Sequence, residues 1–305
     1  MSWRSRSVLG TLLAALALTP LGLAAQNFDT VQVRTVKVGE GVYMLQGAGG
    51  NIGVSSGADG VIIVDDQYAP LTDKIRAALA ALTLTPGPIR FVLNTHWHFD
   101  HTGGNENFGK SGVVIVAHEN VRRRMSAEQF MTTFAQSIKA SPAGALPVVT
   151  FTDAVTIYYN GDSISAMHVP PAHTDGDVIV WFRHANVVHM GDTFFNGRYP
   201  LVDLASGGAV DGLIAAADRV LALADANTKI IPGHGPLGDR AALQAYRAML
   251  VTVRDRIKQA VAAGRTLAQV QAAKPTAEFD AVWGNGRITP VMFVEILYQD
   301  LSRRP

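Results

Sequence analysis

The sequence predicts an α/β (α+β) protein in which two facing sheets carry helices on their outer sides. Three observations point there. Short β-branched or alternating runs, separated by Gly-rich turns, open the chain in the pattern of antiparallel strands. Segments with leucine and isoleucine at helical spacing follow, alternating with further apolar strands. This order of strands and helices occurs in two similar halves, and each half needs a partner layer to cover its apolar face. A chain of 305 residues, 48% hydrophobic and only 17% charged, has enough apolar side chains to fill such a core.

Taken in order, the chain begins with Arg4 and Arg6, an apolar run from Val8 to Leu18, and small residues around Ala24 and Ala25. That is the layout of a secretory signal peptide over residues 1–25, cut near those alanines, and it places the protein in the periplasm or outside the cell. The run is interrupted by Thr19 and Pro20 and is short for a span, so no stable membrane anchor is expected after cleavage. Cleavage removes two arginines and no acid, leaving 24 basic and 25 acidic residues. This near-zero balance argues against nucleic acid as a partner and leaves a small molecule. Cysteine is absent, which removes any thiolate ligand or nucleophile.

The runs "TVQVRTVKV", "GVYMLQ", "NIGVSS" and "GVIIVDD" read as the first strands. Residues 71–82 read as a helix and "GPIRFVLNT" as a buried strand. A helix is expected to start near Asn105, with "GVVIVAHE" the next strand and "NVRRRMSAEQFMTTFAQSIK" helical. The Pro-rich "ASPAGALP" leads to a hairpin, "AVTIYYNGDSISAMHV", turning at Asn160-Gly161. "DVIVWF" and "ANVVHMGD" form a strand pair, 210–224 an amphipathic helix, and "TKIIPGHG" a last strand and loop. Helices follow over 238–263 and in "TPVMFVEILYQDLSRR". With no linker splitting the chain, residues 26–305 are expected to form one domain whose C-terminal helices begin near 240.

The chemistry gathers in "NTHWHFDHTGG", residues 94–104. His96, His98, Asp100 and His101 occupy a loop where a buried strand stops, a place from which several side chains are aimed inward. Three imidazoles and a carboxylate within six positions have the make-up of a metal-ligand set. One loop does not close such a site. Three other strand junctions supply partners: His173 in "PPAHTDGD", Asp192 in "VVHMGDTFF" and His234 in "IIPGHGP".

The ordered series HxHxDH, a later His, a later Asp and GHG resembles the metallo-β-lactamase superfamily of hydrolases, from about Val31 to beyond Gly235. The resemblance implies a four-layer αββα sandwich of two mixed sheets with outer helices, and two divalent metal ions. By position, His96, His98 and His173 look like ligands of one metal, and Asp100, His101 and His234 like those of the second, with Asp192 bridging. Asp65, at the end of "GVIIVD", resembles the aspartate that steadies the ligand loops from behind; Asp66 leaves that assignment open by one residue. The implied cofactor is a zinc pair, with iron or manganese competing because an oxygen bridge is harder than a thiolate. The implied mechanism is attack of a metal-bridging hydroxide on a carbonyl carbon, with Asp100 also accepting a proton from the nucleophile. The site would keep about one net positive charge, suiting an oxyanion and a carboxylate-bearing substrate.

Many metallo-β-lactamases carry cysteine where Asp192 stands. An aspartate there is similar to glyoxalase II thioesterases and lactonases, so the expected activity is hydrolysis of an ester, thioester, lactone or amide bond. β-Lactam turnover is the alternative. A phosphodiesterase or nuclease and a non-catalytic metal-binding protein are weaker ones, set against by the neutral charge and the complete ligand set. Arg198 and Tyr199, in "FFNGRYP", are expected to touch a substrate carboxylate or carbonyl. His168 reads as a strand or supporting residue, His118, His184 and His189 as packing or surface positions, and Arg122, Arg123 and Arg124 as a solvated helix face. "GAGGN", residues 47–51, is expected beside the site, with Trp97 and Phe99 lining the pocket or packing beneath it. Oligomeric state and the role of the C-terminal helices are not fixed by the sequence.

Overall fold

The computed structural model describes residues 27–82 and 87–303; the expected signal peptide lies outside them. The first sheet starts as a meander. β1 (Arg34–Gly39), β2 (Val42–Gln46), β3 (Ile52–Gly57) and β4 (Gly60–Val64) pair antiparallel in succession. Helix α1 (Thr72–Ala80) buries Ile75 and Leu79 and leads to β5 (Ile89–Leu93), parallel to β4. Two short helices follow, α2 (Phe99–Thr102) and α3 (Asn105–Gly109), before β6 (Val114–His118) adds parallel to β5.

The expected helix over 120–139 is cut short. Helix α4 (Glu119–Met125) stops at Met125, and β7 (Gln129–Met131) and β8 (Gln136–Ile138) form a small separate hairpin. The Gln129 amide donates to the carbonyls of Arg124 and Ala127, satisfying acceptors that a continuing helix would have used. Met131 is buried in the main core, and that long-range contact outweighs local helix propensity. β9 (Val149–Phe151), which the sequence did not announce, then pairs parallel with β6.

The second sheet repeats the plan. β10 (Ala154–Tyr159) and β11 (Asp162–His168) form the expected hairpin, with Asn160 at φ 54° and Gly161 at φ 74°, the left-handed pair of a type I′ turn. β12 (Val178–Phe182) and β13 (Val187–His189) continue antiparallel. After helix α5 (Val210–Leu223), β14 (Lys229–Ile231) lies parallel to β13, and the short β15 (Gly238–Asp239) closes the edge. Asp239 caps helix α6 (Arg240–Ala262) by accepting from the Ala242 amide. Helices α7 (Leu267–Ala272), α8 (Asp280–Trp283) and α9 (Pro290–Ser302) finish the described chain.

Packing produces four layers. Met44, Ile62, Val64, Leu93 and Val116 of the first sheet meet Ile164, Val180, Phe182, Val187 and Ile231 of the second in one buried layer. The other face of the first sheet presents Val54, Ile63 and Val92 to Ile75, Leu79 and Phe108. Outside the second sheet, Ile179, Trp181, Val188 and Ile230 share a cluster with α5, α6 and α9. Burying each such aliphatic side chain contributes about 1.5–3 kcal/mol. No helix among the described residues is long and apolar enough to cross a membrane.

Candidate metal centre

The seven histidines and aspartates singled out in the sequence converge at one end of the two sheets. β5 ends at Leu93, immediately before the loop and α2 that carry His96, His98, Asp100 and His101. β13 and β14 end at His189 and Ile231, just before Asp192 and His234. β12 runs the opposite way, so the loop preceding it brings His173 to the same end. Ligand atoms of His96, His98, His173 and Asp192 lie within 4.8 Å of one another, and those of Asp100, His101 and His234 do likewise. The two groups adjoin: His101 Nε2 is 3.1 Å from Asp192 Oδ1, and His234 Nε2 is 3.4 Å from both Asp100 Oδ2 and Asp192 Oδ2.

Each imidazole of the first loop has its outer nitrogen held by a partner, which decides what its inner nitrogen offers. His98 presents Nε2 to Asp203 Oδ2 at 3.0 Å, leaving Nδ1 to face His173 Nε2 at 2.8 Å. His173 donates from Nδ1 to the Leu201 carbonyl. His101 presents Nδ1 to Asp65 Oδ2 at 2.7 Å, leaving Nε2 inward. Thr95 Oγ1 donates to Asp65, so its lone pairs are free to accept from His96 Nδ1, 3.0 Å away. His96 Nε2 is then buried with no hydrogen-bond partner. Such an orphan acceptor is costly unless something electrophilic occupies the space it faces. Inward lone pairs from imidazole and carboxylate, with outer atoms tied down, are the donor set a zinc-type ion requires, so the residues fit divalent metals.

The electrostatics divide the histidines into two kinds. Burial, assisted by the neighbouring His101, pushes His96 well below the usual imidazole range, and burial brings His173 down to about 4. Both are neutral and ready to ligate at pH 7. Burial opposes charge on His234 too, but Asp192 and Asp100 raise it to about 9. His101 is likewise raised, against burial, by Asp192, Asp65 and Asp100. Reciprocally, the half-buried Asp100 and the buried Asp192 are held well below the carboxylate range by His101 and His234, against the effect of desolvation.

The surroundings resolve several sequence expectations. Asp65, not Asp66, is the residue behind the ligand loop: fully buried, it accepts from the Thr95 amide, Thr95 Oγ1 and His101. Asp66 accepts from the Gly104 amide, and burial raises its carboxyl well above the usual range. The 47–51 loop does flank the site, so closely that a Cβ on Gly50 would stand 2.1 Å from the His101 ring. Phe99 lines the cavity above the site, whereas Trp97 packs beneath and donates to Ser206 Oγ. The arginine run is more than a solvated face, because Arg124 forks onto Asp175, two residues past His173, and Arg123 reaches the same carboxylate. His118 and His168 stack on each other at 3.9 Å, away from the cluster, and His189 Nε2 donates to the Asn51 carbonyl.

Arg198 lines a cavity of about 300 Å³ that opens onto His98, Asp100, Asp192 and His234. Tyr199 borders it too, but its hydroxyl does not serve as the expected substrate contact. It donates to Asp280 Oδ1 at 2.8 Å, and the ring stacks on Phe293, so this side chain anchors the C-terminal helices. Several residues escaped the sequence reading, Asp203 and Arg287 among them. Asp203 supports His98 and caps a turn by accepting from Ser206, with its carboxyl lowered to about 2 by the His98 contact against the effect of burial; the D-x-x-S spacing was its only signal. Arg287, beside Ile288 on the cavity wall, had none. Replacing Asp203 with Ala is expected to lower zinc affinity about 10- to 100-fold, read by calorimetric titration. Unchanged affinity would remove Asp203 from this supporting role.

A sandwich of two sheets with His and Asp side chains gathered at one end defines a metal-centre fold. This chain belongs to the metallo-β-lactamase superfamily, whose family model matches residues 47–234. It is 29% identical over 166 residues to a hydroxyacylglutathione hydrolase of Rhodospirillum rubrum, a match that spans 54% of each protein. The chain thus covers only about half the length of that relative. To the acyl-coenzyme A thioesterase MBLAC2 of Bos taurus it is 22% identical over 227 residues, 65% of this chain and 79% of that one. Among solved structures, the metallo-beta-lactamase from Pontibacter korlensis superposes with a TM-score of 0.59 at 19% identity, covering 72% of this chain and 99% of the other. At that identity the likeness concerns the fold alone.

Proposed function

We propose that the chain is an exported, metal-dependent hydrolase that uses two divalent ions, zinc in the first instance, to cleave an ester, thioester, lactone or amide bond of a small molecule. The observation that carries this is the pair of adjoining ligand groups with inward-facing donor atoms. Bound there, the ions would supply a Lewis acid and water acidified to a pKa of about 7. His96, His98 and His173 would hold one ion, Asp100, His101 and His234 the other, and Asp192 would serve both. Both ligand carboxylates line the cavity, and Asp100 is the more exposed of the two, its side chain 21% exposed against 5% for Asp192. Its Oδ2 is therefore placed to take a proton from an attacking water. Tyr68 also lines the cavity, and burial, then the charge of Asp100, raise its hydroxyl to about 12. It stays protonated at neutral pH and offers a donor.

The names of the two curated relatives, a hydroxyacylglutathione hydrolase and an acyl-coenzyme A thioesterase, support acyl transfer to water. β-Lactam cleavage is the second reading, favoured by a 22% identity over 188 residues to a metallo-beta-lactamase type 2 of Bacteroides fragilis. Metal analysis of the purified protein with a panel of thioester, lactone, ester and cephalosporin substrates tests both. Turnover of an acyl substrate that is lost with chelator and restored by zinc is expected; a metal-loaded protein inert toward the whole panel would overturn the reading. Export rests on the N-terminal pattern, and N-terminal sequencing of periplasmic protein is expected to start near residue 26.

Protonation gives an independent check. His234 and His101 carry protons at pH 7 when no metal is bound, so metal uptake must displace them. About two protons from these histidines, and up to about one more from an ionising bound water, are expected to be released per protein, measured by calorimetry in buffers of different ionisation enthalpy. Zinc affinity should weaken as pH falls below about 9, by up to about tenfold per unit for each proton displaced. The metal-free protein behaves oppositely. A raised histidine pKa contributes stability that is complete below 6.5 and lost as pH rises through about 9. Zinc binding without proton release would contradict the assignment of these two ligands.

A further inference from the structure

The cavity over the metal centre is closed by two pieces of chain that stand apart from the strands carrying the ligands. The β7–β8 hairpin contributes Met131 and Phe134, and the segment between α8 and α9 contributes Arg287 and Ile288. That segment also lies beyond the part of the chain matched to the family, which ends at residue 234. The two pieces meet where the Arg287 guanidinium carbon stands 3.7 Å from the centre of the Phe134 ring. A guanidinium over an aromatic face is attracted by the ring and held in orientation, while its edge donors stay free.

Arg198 belongs to the same wall. Gly286, the residue before Arg287, packs against its stem so closely that an added Cβ would be 3.0 Å from Arg198 Cβ. The two arginines therefore rise from adjoining backbone on the same cavity wall. Among the described residues neither has a hydrogen-bond or ion-pair partner, in contrast to Arg124, which is gripped by Asp175, and Arg256, which is paired with Glu278. Only two carboxylates line the cavity, Asp100 and Asp192, and both are candidate metal ligands. Beyond the candidate ligands and Tyr68, much of the wall is apolar, from Phe99, Phe195, Leu201 and Ile288.

The geometry points to Arg287, with Arg198, as the anion-recognising end of the site: the substrate is an acyl compound with an apolar body and a carboxylate remote from the bond that is cleaved. This rests on the hydrolase reading above, and it adds a residue that sets which acyl compounds are preferred. Arg287 acts by binding the carboxylate through its free N–H edge. It takes no part in bond cleavage, so its contribution should appear in KM.

The test uses the zinc-loaded full-length protein and 4-nitrophenyl monoesters of succinate, glutarate and adipate, with 4-nitrophenyl butyrate as the uncharged partner. The wild type is expected to prefer one of the monoesters. R287A should reduce the ratio of monoester to butyrate kcat/KM about tenfold or more, through the monoester KM, and R287K should recover part of it. R198A should act in the same direction. A general structural role would depress both substrates together and leave the ratio unchanged, and that result would overturn the proposal, as would a wild type without carboxylate preference. Binding provides a second readout, by calorimetry with the 4-nitroanilides of glutarate and butyrate. If these esters and the thioester, lactone and cephalosporin panel are all left uncleaved, the hydrolase reading fails, yet tighter binding of the glutarate derivative that R287A abolishes would still sustain the arginine assignment. Equal binding of the two anilides would sink it.

Discussion

Asp100→Asn and His96→Ala are each expected to lower hydrolysis by about 10³-fold or more while the fold persists. The two substitutions act on different atoms. His96 Nε2 is a buried acceptor without a hydrogen-bond partner, so its removal subtracts a donor from one ligand group and little from the hydrogen-bonded framework. Asp100→Asn keeps volume and shape but withdraws a charge that faces His101 and His234. It also withdraws the more exposed of the two ligand carboxylates on the cavity wall, and with it a general-base contribution of about 10²–10⁴-fold, added to the weakened grip on the ion. Circular dichroism and thermal melting should show a folded protein in both cases. Steady-state hydrolysis measured beside zinc stoichiometry decides the matter: turnover at the wild-type rate in either variant would mean that the cluster is not the reaction centre.

How much of this was legible beforehand differs from element to element, for physical reasons. Strands such as 60–64 and the hairpin at Asn160-Gly161 are written locally, because β-branched runs and an Asn-Gly pair constrain their own backbone. The first ligand loop is equally local, since one sharp bend after β5 carries four of the seven side chains. His173, Asp192 and His234 come from three other junctions, and only the order of motifs tied them to it. The β7–β8 hairpin was hidden because "SAEQFMTTFAQ" holds good helix formers; what overrides them is Met131 in the core and Phe134 under Arg287, contacts that no local pattern encodes. Arg287 and Asp203 were invisible for the same reason. An arginine or aspartate in a loop usually faces water, and only the packing of a distant segment turns it toward the site. Tyr199 illustrates the converse: its neighbour in sequence, Arg198, lines the cavity, while its own hydroxyl is taken by Asp280.

Asp65 and Asp66 stand one residue apart, both buried, and their isosteric amides should behave oppositely. Asp65 takes three hydrogen bonds, from the Thr95 amide, Thr95 Oγ1 and His101 Nδ1. With Oδ1 still accepting from the Thr95 amide, the amide nitrogen of Asp65→Asn would confront two donors, Thr95 Oγ1–H and His101 Nδ1–H. Either a buried donor is left unpaired or His101 changes tautomer and turns a proton toward the metal. The expected cost is about 2–4 kcal/mol in denaturant unfolding and about 10- to 100-fold in zinc affinity. Asp65→Ala should be worse, because the residue sits at φ 66°, where alanine is strained and asparagine is not. Burial raises the Asp66 carboxyl well above the usual carboxylate range, favouring its neutral form, and its Oδ2 has no hydrogen-bond partner while Oδ1 accepts from Gly104. An amide reproduces a neutral acid almost atom for atom, so Asp66→Asn should shift stability and zinc affinity by less than about 1 kcal/mol. If Asp65→Asn proved as mild as Asp66→Asn, the left-handed turn after β4 would be mere chain geometry, and His101 would take its orientation from elsewhere.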